Sequence, residues 1–148
     1  MKVLIIILTI AVFLQTTILP FDLVMLVLVL RAYLDSSKSN LYLAFFFGLL
    51  ISHLNATPLG LQSVVYILLV QAASFLGKLP VASNILTVIL LAVFSSTFNS
   101  IAVCLITGSS LQLFPKVLIE SMIALPLYLV VRFWEERFTV KPEIRLKI

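Results

Sequence analysis

Charge is what this chain has least of. Only 11% of its 148 residues are Asp, Glu, Lys or Arg, where a soluble domain carries about 25%. A chain so poor in charge cannot cover itself with a polar surface, so a water-soluble globular domain is excluded and an apolar solvent is required. It holds one cysteine, Cys104, inside an apolar run. That leaves no internal disulfide, and Cys104 is expected to pack as a small hydrophobe. It also holds one histidine, His53. Histidine catalysis or metal binding needs a partner such as H-E-x-x-H or a second His, and none exists. No Gly-rich phosphate loop, G-x-S-x-G elbow, paired carboxylate, internal repeat or low-complexity stretch is present. Neither an enzyme mechanism nor a resident metal or cofactor is therefore expected.

What is there is grease. Hydrophobic residues make up 62% of the chain, and the mean hydropathy is +1.23. In lipid every backbone polar group must be paired within the structure, which leaves helices or a closed barrel. A barrel would alternate polar and apolar residues. Here the apolar residues form unbroken runs such as "VLIIILTIAVFL" and "LVMLVLVL". The expected fold class is all-α, a polytopic helical membrane protein built as a compact bundle of short helices.

Six spans are expected: Val3–Leu19, Phe21–Leu34, Leu41–Leu54, Leu61–Gly77, Asn84–Ile106 and Pro115–Trp134. Residues 1–134 form one transmembrane domain and 135–148 a short cytoplasmic tail along the inner membrane surface. No A-x-A-like site follows the first run, so it is expected to be a retained span rather than a cleaved signal. Pro20-Phe21-Asp22 separates the first two runs. A continuous Val3–Leu34 helix would be about 48 Å long, too long for one upright crossing, and proline breaks helices, so a hairpin is expected. The second and third spans, about 21 Å each, are short against a core of about 30 Å.

The layout can be checked against charge. With the N-terminus inside, Lys2, Arg31, Lys38, Lys78, Arg132, Arg137, Lys141, Arg145 and Lys147 fall in the cytoplasm, and only Lys116 falls outside. This bias explains the net charge of +4 better than nucleic acid does. The localisation expected is a plasma membrane, with both termini cytoplasmic.

The polar residues inside spans are the functional suspects. Asp22 stands where a carboxylate can cap the second helix or meet a partner. Glu120 sits four residues after Lys116, the spacing of a modest helical ion pair, with Lys116 free to snorkel outward. Ser95, Ser96, Thr97, Asn99 and Ser100 cluster in the fifth span, where small polar residues let helices approach and hydrogen-bond; Gln71 in the fourth can do the same. These residues could also line a polar pocket. The stretch "GLLISHLNATPLGLQS" places Ser52, His53, Pro58 and Gly60 in an outer turn. With no chemistry in reach, that turn reads as structural or as a docking surface. Asn55-Ala56-Thr57 has the glycosylation pattern, but Pro58 follows in a tight loop, and it is set aside.

Three stretches resemble a known family. "FDLVMLVLVLRAYL" (21–34), "GLLISHLNATPLGLQSVVYILLVQAASFLG" (48–77) and "ALPLYLVV" (124–131) are similar to the bacterial rod shape-determining protein MreD family. Its members enter an early span through Pro-Asp-Leu and carry an acidic residue before a Pro-Leu-Gly turn. Asp22, Pro58, Leu59 and Gly60 match. The proline stands at 20 rather than directly before Asp22, and Ser52, with His53 beside it, replaces the acidic residue. The resemblance implies a non-enzymatic inner-membrane subunit of the cell-elongation machinery, acting in cell shape and lateral peptidoglycan synthesis. Implied partners are an MreC-like bitopic protein, the actin-like MreB, and the elongation glycosyltransferase/transpeptidase complex. The family also resembles the substrate-binding subunits of energy-coupling-factor vitamin transporters, so a small-molecule binding subunit is the alternative. An intramembrane hydrolase would need a Ser–His pair on facing helices.

Overall fold

The computed structural model describes residues 2–19, 21–79, 85–108 and 113–138. Pro20, the Ser83-Asn84 approach to the fifth span, the loop at 109–112 and the tail at 139–148 lie outside the described residues. Among the described residues there are six helices and no strand: α1 (Lys2–Thr17), α2 (Leu23–Leu34), α3 (Ser39–Leu54), α4 (Leu61–Leu76), α5 (Ile85–Thr107) and α6 (Leu113–Phe138). Two of them, over Ile85–Thr107 and Pro115–Arg137, are long and apolar enough to cross a membrane.

The helices follow from unbroken apolar runs. Several threonine hydroxyls within them are satisfied locally: Thr9, Thr16, Thr17, Thr97 and Thr107 each donate to the carbonyl four residues earlier, at 2.6–2.9 Å. This i−4 bond lets a threonine sit in an apolar helix without water.

α2 is the axis of the bundle. Every residue from Val24 to Tyr33 is buried, and α2 touches all five other helices. Its twelve residues rise only about 18 Å, far less than the roughly 30 Å of a bilayer core. A helix this short can sit at membrane depth only when others sheathe it. α1 packs on α2 and α3, and Leu4, Leu8, Ala11 and Val12 are buried along its length. The first two runs therefore fold back on one another instead of forming a kinked rod.

The α3–α4 pair is the most extensive contact in the fold. Gly48 makes it possible: a Cβ there would lie 2.5 Å from Ser63 Cα. Ser63 Oγ donates to the Phe45 carbonyl at 3.0 Å. The turn between them, over "HLNATPLG", is closed by its own hydrogen bonds. Thr57 N–H donates to Ser52 O at 3.1 Å, Leu61 N–H donates to Pro58 O at 3.1 Å, and Gly60 takes a φ of +92°. Buried Ser52 accepts the Gln62 N–H through its Oγ at 3.3 Å.

α6 departs from expectation. It runs to Phe138, so Glu135–Phe138 belong to the helix rather than to a tail. Arg31 holds Glu135 there, and that contact extends the helix beyond its apolar stretch.

Candidate functional site

Two polar clusters lie at opposite ends of α2. The larger is built on Asp22. It occupies the N-cap position of α2 with φ −88° and ψ 77°, yet its side chain makes no cap bond. Gln15, in the last turn of α1, caps α2 in its place: Oε1 accepts the Val24 N–H at 3.1 Å, and Nε2 donates to Asp22 Oδ1 at 3.0 Å. The Asp22 carboxylate is thereby free to reach outward. Its Oδ2 accepts from Lys116 Nζ at 2.7 Å and from Asn99 Nδ2. The Asp22 N–H donates to Glu120 Oε1 at 2.9 Å. Four helices, α1, α2, α5 and α6, converge on this one residue.

The cluster has an inside and a mouth. The Glu120 side chain is 0% exposed, and that of Lys116 is 27% exposed, so Lys116 stands between the buried groups and the surface. Glu120 is 3.9 Å from Lys116, farther than Asp22. Tyr66 of α4 stands beside Gln15. Ser96 faces Glu120 without reaching good hydrogen-bond geometry. Glu120 Oε2, Asn99 Oδ1, Tyr66 OH and the hydroxyls of Ser95, Ser96 and Ser100 are buried and unpaired.

The second cluster closes the other end of α2. Arg31, buried, donates through Nε to Glu135 Oε1 at 2.7 Å and through Nη1 to Asn40 Oδ1 at 2.9 Å. Asn40 Nδ2 donates to the Asp35 carbonyl at 2.6 Å. This ties α2, α3 and α6 together. Beside it Gly77 packs against the Tyr33 carbonyl, where a Cβ would clash with backbone.

No protein-family model, curated protein or solved structure matches this chain. Its site is therefore read from its own geometry.

That geometry sorts the expected residues. Asp22, Asn99 and Glu120 come together. Asp22 is a hub rather than a side-chain cap, because Gln15 takes the capping role. The pair expected between Lys116 and Glu120 is the weaker one: Lys116 turns to Asp22, which lies closer. Gln71 does not pack within the bundle. It is exposed, because the inward stripe of α4 is Tyr66, Leu69, Val70 and Ala73 and Gln71 falls on another face. His53 and Pro58 are exposed, while Ser52 and Gly60 shape the turn. None of these four reaches the Asp22 cluster.

Sequence reasoning missed Gln15, Tyr66, Asn40 and Glu135, and it read Arg31 only as a topology signal. A usable signal existed for Gln15, a lone amide in "IAVFLQTT", since an amide inside an apolar helix must find a partner. Nothing local singled out Glu135.

Proposed function

We propose that this chain is a non-enzymatic, multi-pass membrane scaffold subunit, with all six helices in the bilayer and both ends in the cytoplasm. Following its resemblance to the MreD family, we assign it to the bacterial cell-elongation machinery, where it would engage an MreC-like bitopic protein and the glycosyltransferase/transpeptidase complex. The observation that carries this reading is the division of labour between inside and outside. The strongest polar contacts turn inward and clamp helices to one another. The outer faces carry large apolar side chains, among them Ile6, Ile10 and Phe13 on α1, Leu90 and Leu105 on α5, and Met122 and Val130 on α6. Such a surface suits lipid and helix-to-helix docking, and in lipid docking depends on close packing with few hydrogen bonds.

Charge supports the orientation. Arg31, Lys38, Lys78, Arg132 and Arg137 belong to the end of the bundle where α2, α4 and α6 finish; Lys116 belongs to the other. The positive-inside rule makes the first end cytoplasmic.

Conditional depletion scored by cell shape tests the proposal. Rounded cells with normal nutrient uptake, and recovery of an MreC-like partner on a tagged chain, are the expected results. Rod-shaped cells with failed uptake of a small nutrient would reject it.

A second reading, a small-molecule binding subunit, has one observation in its favour: the unpaired buried atoms of Asn99, Glu120, Ser96 and Tyr66. Thermal stabilisation of the purified chain by a vitamin-like compound is its test.

A further inference from the structure

The Asp22 cluster does not balance its charge. It contains two carboxylates, Asp22 and Glu120, and one ammonium, Lys116, which lies 2.7 Å from the first and 3.9 Å from the second. The other cations with described side chains belong to the opposite end of the bundle. One negative charge is thus left over on a residue with no exposure, and a buried charge without a partner is strongly unfavourable.

The atoms around that charge have a common character. Glu120 Oε2, Asn99 Oδ1 and Ser96 Oγ belong to side chains that are 0% exposed, and none of the three oxygens has a hydrogen-bond partner. Asn99 has committed its nitrogen to the Asp22 carboxylate, which leaves its oxygen as an acceptor. Three further relations place these side chains beside one another. Ser96 and Asn99 are three residues apart on one face of α5. Ser96 faces Glu120. Asn99 and Glu120 both bond to Asp22, one through the carboxylate and one through the backbone N–H.

A carboxylate, an amide oxygen and a hydroxyl make an all-oxygen set, which suits a hard cation. Among the described residues no three His, Cys, Asp or Glu side chains gather in a metal-ligand group. One surplus charge matches one monovalent ion.

We propose that Glu120, Asn99 and Ser96 hold a single sodium-sized monovalent cation between α5 and α6, one helical turn deeper than Lys116. The ion balances the second carboxylate and joins the two long helices at the point where their polar groups are unpaired. The site stands whether the protein is a scaffold or a transport subunit.

The test uses the purified full chain in detergent. Thermal unfolding is followed at fixed pH and ionic strength as sodium chloride replaces N-methyl-D-glucamine chloride. The midpoint should rise with sodium and saturate. Glu120→Gln, which removes the surplus charge, should abolish the sodium response. Ser96→Ala, a milder change that keeps the test alive should the first variant fail to fold, should raise the half-saturating sodium concentration roughly tenfold. Gln71→Ala, exposed on α4, should respond as the parent does. Equal midpoints in the two salts would overturn the proposal, as would a sodium response that survives Glu120→Gln. Stabilisation that follows pH equally in both salts would overturn it too, because a proton on Glu120 would then balance the charge.

Discussion

Lys116 Nζ donates to Asp22 Oδ2 at 2.7 Å across a sequence separation of 94 residues. The contact fastens the start of the last helix to the start of the central one. Asp22 also holds Gln15 of α1 and Asn99 of α5, so a single carboxylate organises one end of the bundle.

The two partners of this ion pair should not be equivalent. Lys116→Met leaves the Asp22 carboxylate without its ammonium, and breaking a buried pair in this way costs about 3–5 kcal/mol. Asp22→Asn keeps one acceptor oxygen and turns the other into a donor, but it removes one of the two negative charges and lets Lys116 turn to Glu120, 3.9 Å away, so it should cost less, about 1–3 kcal/mol. Denaturation of both variants in one detergent gives the order. If Asp22→Asn is the more damaging, the charge accounting is wrong.

Glycine substitutions should rank by what the new methyl meets. At Gly48 it would stand 2.5 Å from Ser63 Cα, and at Gly77 it would meet the Tyr33 carbonyl. Both neighbours are backbone and cannot swing aside. Gly48→Ala and Gly77→Ala should each cost about 1–3 kcal/mol by forcing helices apart. Gly60→Ala meets open space but sits at φ +92°, so its penalty, about 1–2 kcal/mol, is local strain and should leave the α3–α4 contact intact. Cross-linking between cysteines placed on α3 and α4 separates the two mechanisms: it should fall for Gly48→Ala and persist for Gly60→Ala.

Arg31 and Glu135 should behave non-additively, the double change costing less than the single one. Their side chains are 7% and 11% exposed and 2.7 Å apart. Glu135→Ala takes the carboxylate from a buried guanidinium that keeps its bond to Asn40 and should cost about 3–5 kcal/mol, while Arg31→Met with Glu135→Met removes both charges and should recover much of that loss. A double variant no better than the worse single one would show that the pair is not a unit.

Orientation is open to labelling. In a Cys104→Ala background, His53→Cys should react with an impermeant thiol reagent on intact cells. Lys38→Cys, exposed at the other end of α3, should react only after permeabilisation. The reverse pattern would invert the proposed topology.

Much of the architecture was readable from hydropathy. The expected spans from Leu41 to Leu54 and Leu61 to Gly77 fall within a few residues of α3 and α4, because Pro58 and Gly60 interrupt two otherwise continuous runs. The break between α1 and α2 was readable for the same reason. Glu135 was not: in sequence it looks like the first residue of a charged tail, and only the tertiary structure shows it inside the last helix and 2.7 Å from Arg31.

Composition and the unbroken apolar runs together pointed to helices with apolar side chains on their outer faces, since a helix pairs its backbone within itself and too few charges exist to coat a surface. Those properties are local, and a linear reading captures them. Which polar side chains meet was decided by tertiary structure alone. Gln15, Asp22, Asn99, Lys116 and Glu120 come from four helices, and only the packing of α1, α5 and α6 around α2 brings them within hydrogen-bond reach. Periodicity names the residues that point inward, but the rotation and depth of each helix against its neighbours select the partner each one finds.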